Sequence, residues 1–134
     1  MNRNPWFDYA REDLQAAEVL YNQGIYRLAS FHAQQSVEKL LKGLLWNQKV
    51  NPPKTHDLVF LYQRVKRWYQ SLSLDKEELE FLNGLYIESR YPADLGLLPE
   101  GEPTAADARR ALAIAREVLG RVREVLGQVS SDSG

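Results

Sequence analysis

Apolar residues recur along this chain at spacings of three and four, the repeat of a helix with one buried face, and no stretch alternates as a half-buried strand does. The pattern predicts five helices. The first spans Pro5 to Gln23, with Pro5 suited to a first turn and Ala10, Leu14, Ala17 and Tyr21 in register, and it breaks at Asn22 to Gly24. The second spans Ile25 to Gln48, with Ala29, Ala33, Val37, Leu40 and Leu44 on one face, and Asn51, Pro52 and Pro53 stop it. The third starts at Thr55 or Asp57, either of which can cap it, and carries Leu58, Leu61, Tyr62, Val65 and Trp68 as far as Tyr69.

Asp75 and Glu78 open the fourth helix like a capping box; it runs to Ser89 with Leu79, Leu82 and Tyr86 on one face, broadened by Phe81 and Leu85. Residues 91–103 hold three prolines and two glycines and read as a long loop. Thr104 and Asp107 cap the last helix, whose stripe of Ala108, Leu112, Ala115, Leu119, Val122, Leu126 and Val129 suits packing in an antiparallel bundle. Gly120 and Gly127 lie one heptad apart, and the expectation is that they admit another backbone closely. Residues 130–134 are expected to fray as a tail. Together these features predict an all-α fold: residues 1–129 as one up-and-down bundle of four long helices plus one shorter helix.

Composition narrows the chemistry. The 134 residues are 44% hydrophobic and 26% charged, ordinary for one globular domain. With no cysteine, disulfides, thiol nucleophiles and cysteine zinc sites are excluded, and two histidines without an HExxH pattern argue against zinc. No P-loop, GxGxxG or GxSxG occurs, so no cofactor is expected. The opening residues lack an apolar signal core and no apolar run could span a membrane, so the expected location is the cytoplasm.

The net charge is −1, yet it is unevenly spread. Residues 38–67 hold seven basic side chains against two acidic, while residues 75–102 hold two against eight. Basic residues there interleave with Trp46, Tyr62, Trp68 and Tyr69, an arrangement suited to phosphates and stacked bases, or equally to plain surface over core aromatics. In the second helix His32, Gln35, Glu38, Lys39 and Lys42 fall on one side, opposite the aliphatic face. That side is either solvated or, because Leu28, Phe31 and Trp46 share it, a second packed surface against another helix or a partner chain. His56, in THDL, reads as a helix-start cap or packing residue.

Three ordered segments, FHAQQSVEKLLKGLL (31–45), THDL (55–58) and YIESRYP (86–92), with the opening DYAREDLQAAEVLYNQGIYRLA, resemble the HEPN domain family over nearly the whole chain. That resemblance implies a helical bundle that commonly dimerises, with nucleotide- or RNA-related work, often beside a nucleotidyltransferase in a toxin–antitoxin-like pair. Many of the family are metal-independent ribonucleases with a late R-x4-6-H motif. Here no histidine follows Arg90, and the Arg27–His32 match lies in the second helix, about 140° apart around its axis.

The chain therefore resembles the non-nuclease branch, with no catalytic residue and no metal ligand assigned. Lys39, Lys42 and Arg90 are candidate phosphate contacts, His32, Gln35 and Glu38 would order that surface, and Tyr91 would stack or pack. The alternatives are a homodimeric interaction module without a ligand, and a ribonuclease joining His32 to Arg90.

Overall fold

The computed structural model describes the backbone of residues 3–90 and 101–133, and the side chains of residues 3–85 and 101–127. Among the described residues there are five helices: α1 (Pro5–Asn22), α2 (Tyr26–Asn47), α3 (Leu58–Val65), α4 (Lys76–Arg90) and α5 (Ala105–Ser133). Four are long and α3, at eight residues, is short. α2 is the hub, packing against all four others.

Side-chain caps fix the helix starts. Asn4 accepts from the Trp6 N–H, while its amide donates to the Gly43 carbonyl and to Asn47 Oδ1, so the cap of α1 also ties it to the end of α2. Asp57 caps α3 by accepting from the Val59 and Phe60 N–H groups, and Thr55 Oγ accepts from the Asp57 N–H one step earlier. Asp75 caps α4, and Thr104 with Asp107 forms a reciprocal capping box at α5.

α1 and α2 run antiparallel: Asn4 meets Gly43, Ser36 Oγ donates to the Ala10 carbonyl at 2.8 Å, and Asp13 meets His32. Small residues on both sides (Ala10 and Ala17, Ala29 and Ala33) are fully buried and permit the approach. The tightest point is Gly43, where an added Cβ would lie 2.5 Å from Phe7 Cε1 and 3.1 Å from Trp6 Cβ.

The expected aliphatic face of α2 is buried in full, joined by Leu41 and Leu45. Each such leucine contributes about 1.5–3 kcal/mol by leaving water. Burial also extends to Ser30, Gln34, Ser36, Glu38 and Lys42, so thirteen of the 22 residues of α2 are buried. The polar side is thus not a solvated face: part of it lies beneath α1.

Four other expectations need correction. α3 stops at Val65, and Trp68 stands 42% exposed on the following turn, while Tyr69 is buried and accepts from Gln48. The buried residues of α5 are Ala108, Ala111, Leu112, Ile114, Ala115, Val118, Val122 and Val125; of the expected stripe Ala108, Leu112, Ala115 and Val122 are buried, Leu119 and Leu126 are only partly so, and the side chain of Val129 lies outside the described residues. The buried face widens toward Ala111, Ile114 and Val118, and Leu119 packs against the core from its edge. Gly120 and Gly127 have nothing within 4 Å of an added Cβ, so neither serves close packing among the described residues. Finally, α5 continues to Ser133 through the expected tail.

Candidate functional site

The polar side of α2 organises around two buried carboxylates, each held between a lysine and a histidine. Asp13, on α1, interrupts that helix's apolar stripe and points at α2. It accepts a hydrogen bond from Lys39 Nζ and lies 2.9 Å from His32 Nδ1. Glu38, on α2 itself, accepts from Lys42 Nζ at 3.0 Å and lies 2.8 Å from His56 Nδ1, brought over by the segment between α2 and α3. Gln35 donates to Gln34 at 2.8 Å and approaches Glu38 at 3.5 Å, filling the space between the two groups.

A carboxylate only accepts, so Nδ1 of each imidazole carries the proton in these contacts, and ring orientation and tautomer are set together. Burial pushes the Asp13 carboxyl upward, but the hydrogen bonds from His32 and Lys39 and their positive charges outweigh it and hold the group below its ordinary value. Asp13 therefore stays ionised at neutral pH.

The two clusters differ in depth. Lys42 and Glu38 have side chains 9% and 5% exposed, and Trp6 covers the Lys42 ammonium at 5.9 Å from its ring centroid. Lys42 meets no phosphate unless Trp6 or the Glu38 pair gives way. Lys39 and His32 keep about a quarter to a third of their side-chain surface, and His56 keeps half. The accessible edge is therefore His32, Gln35, Lys39 and His56. The two lysines cancel the two carboxylates, so these four groups leave the edge without net charge.

Of the residues singled out in the sequence, His32, Gln35, Glu38, Lys39 and Lys42 do come together. Arg90 is the last residue of α4, with its side chain outside the described residues, and Tyr91 lies outside them altogether. Arg27 pairs with Glu102 at 3.7 Å while His32 pairs with Asp13, so these two address different partners. Two site residues escaped the sequence reading. Asp13 could have been suspected, as a carboxylate flanked by Ala10, Leu14 and Ala17. His56 neither caps a helix nor fills the core; it bridges to α2, and only the fold brings it within reach of Glu38.

Among the basic-segment aromatics, Tyr62 donates to the Leu72 carbonyl and accepts from the Leu74 N–H, and Tyr69 is buried. Only Trp46 and Trp68 stand open. Among the described residues no cluster of three histidines and carboxylates could hold a metal, and no helix is long and apolar enough to cross a membrane.

Comparison with known proteins agrees with this architecture. The family model of the HEPN domain matches residues 4–125. A solved structure, TT1696 from Thermus thermophilus, is 29% identical, with a TM-score of 0.76 over 93% of this chain and 99% of that one. A second, ST0689, described as an archaeal HEPN homologue, is 27% identical, with a TM-score of 0.63 over 96% of this chain and 99% of that one. No curated protein matches. The chain belongs to the HEPN domain family.

Proposed function

We propose that this protein is a nucleotide- or RNA-binding accessory protein that contacts phosphate at the accessible edge of the α1–α2 polar network. It works as a homodimer beside a nucleotidyltransferase, in a toxin–antitoxin-like pair. The observation that carries the reading is the pair of imidazoles, each fixed through Nδ1 by a buried carboxylate and each partly exposed. An imidazole held through its Nδ1–H presents Nε2 in a set orientation, an acceptor when the ring is neutral and a donor to phosphate when it is protonated, and Lys39 beside His32 adds a donor that is always present. Of the candidates from the sequence, His32, Gln35 and Lys39 meet the ligand. Glu38 and Lys42 hold His56 and the floor in place, and Arg90 and Tyr91 keep their proposed roles of phosphate contact and stacking.

Binding of a short single-stranded RNA, followed by fluorescence anisotropy at low salt, tests this. Lys39→Ala weakens it about tenfold, the effect of losing one charge-assisted contact. RNA affinity unchanged by both Lys39→Ala and His32→Ala sinks the assignment.

A second reading is a homodimeric interaction module with no ligand. Tyr9 and Val19 favour it, because both stand more than half exposed on α1. Both readings are dimeric, so RNA binding separates them: under the second no RNA binds at all, while Tyr9→Ser shifts the protein toward monomer in sedimentation.

A further inference from the structure

Two helices of this fold end in the same way, with one difference. At the end of α1, the Gly24 N–H donates to the Tyr21 carbonyl and the Ile25 N–H to the Leu20 carbonyl, with Gly24 at φ +78°. At the end of α2, the Lys49 N–H donates to the Trp46 carbonyl at 2.9 Å and the Val50 N–H to the Leu45 carbonyl at 3.1 Å, with Lys49 at φ +61°. Both are Schellman turns, whose left-handed position suits glycine. α1 supplies glycine there and α2 supplies lysine, so the second turn carries a backbone strain that the first avoids.

Lys49 is also one of five residues lining a recess of about 510 Å³, with Trp46, Asn47, Val50 and Asn51. Trp46 is 40% exposed, unusual for so large an apolar side chain, and Asn47 and Asn51 are exposed beside it. The Asn47 side-chain oxygen already accepts from Asn4, which orients its amide N–H donors. An open indole, two side-chain amides and a cation converge on one recess.

We infer that this recess is a nucleotide subsite: a nucleobase stacks on Trp46, its edge meets the Asn47 and Asn51 amides, and its phosphate meets Lys49. Stacking needs only a flat ring and accepts any base, the amides read polar edges, and the cation takes the anionic end. The strained turn sets where the ammonium stands. The site is separate from the edge of His32 and Lys39 and stands on its own geometry. Two sources supply this chemistry, a free mononucleotide or one nucleotide of a single-stranded RNA.

Calorimetry with AMP, ribose 5-phosphate and inorganic phosphate tests the inference. AMP binds saturably and more tightly than either base-free probe. Trp46→Ala weakens AMP about fivefold or more, and Trp46→Phe restores most of the affinity. Lys49→Gly raises the melting temperature yet weakens AMP, a combination that a purely structural lysine does not give. If single-stranded RNA displaces AMP and itself binds Trp46→Ala more weakly, the nucleotide belongs to RNA; if it does not compete, the ligand is the free mononucleotide. AMP binding no tighter than ribose 5-phosphate, or unaffected by Trp46→Ala and Lys49→Gly, overturns the inference. Loss of RNA binding in Lys39→Ala without any AMP signal at Trp46 overturns this inference alone and leaves the proposed function standing.

Discussion

His56 Nδ1 lies 2.8 Å from Glu38 Oε1, an exposed imidazole seated on a buried carboxylate whose other oxygen holds Lys42. Glu38 therefore has a lysine partner from its own helix and an imidazole partner from the segment entering α3, and joins α2 to that segment. Lys42 has one carboxylate partner and the face of Trp6.

That asymmetry sets an order of cost. Glu38→Leu leaves Lys42 buried without a counter-charge and destabilises by about 3–5 kcal/mol. Lys42→Met costs less, because Glu38 keeps His56. The double variant Glu38→Leu/Lys42→Met costs less than the sum, since no uncompensated charge remains. Urea midpoints of the four proteins measure the cycle.

Asp13 predicts the acid limb of stability. Its folded-state carboxyl lies below the ordinary 3.8, so the unfolded chain takes up the proton first. Its contribution is complete above about pH 4 and is lost as pH falls through the folded value. Asp13→Asn lowers stability at pH 7 by about 2 kcal/mol, the worth of hydrogen bonds to charged groups. The difference from wild type shrinks as pH falls below about 3.8. Urea midpoints between pH 7 and pH 2 report it.

Glycine substitutions separate packed positions from open ones. Gly120→Ala meets nothing and gains helix propensity, about 1 kcal/mol. Gly43→Ala has the same propensity gain but drives a methyl into Phe7 and Trp6. Repacking there costs about 1–3 kcal/mol, so the net effect is neutral at best and in most repackings destabilising. Thermal melts of the two variants move in opposite directions or, at the limit, only Gly120→Ala moves.

Ser30 is fully buried and its hydroxyl has no hydrogen-bond partner among the described residues. Ser30→Ala removes an unsatisfied group in a helix at nearly constant volume. It stabilises by about 1 kcal/mol, read as a higher denaturant midpoint with an unchanged slope.

The helices are legible in the sequence because their cues are local. α2 ends at Asn47, shortly before Asn51, Pro52 and Pro53, Thr104 and Asp107 do cap α5, and Val37, Leu40 and Leu44 do face the core. What escapes the sequence depends on neighbours. A central helix surrounded by others buries polar residues too, so the side of Glu38 and Lys42 passes for a solvated one. The buried face of α5 keeps Ala108, Leu112, Ala115 and Val122 of the expected stripe and broadens to Ala111, Ile114, Val118 and Val125, because contact with several neighbouring elements covers more than a single heptad seam. Within the site, five residues on α2 can be grouped by helical geometry alone. Asp13 and His56 reach it from other elements, and no periodicity joins them.

The chain's two histidines both sit on the proposed phosphate edge, so their rings report on it without added probes. Their ring signals, assigned with His56→Gln, are followed by nuclear magnetic resonance during titration with a short single-stranded RNA. Saturable shifts of the His32 ring, shared by His56 and moved to about tenfold higher RNA concentration in Lys39→Ala, are the predicted result. RNA that binds while both rings stay unmoved, or that fails to bind at low salt, contradicts the phosphate-binding role of this edge.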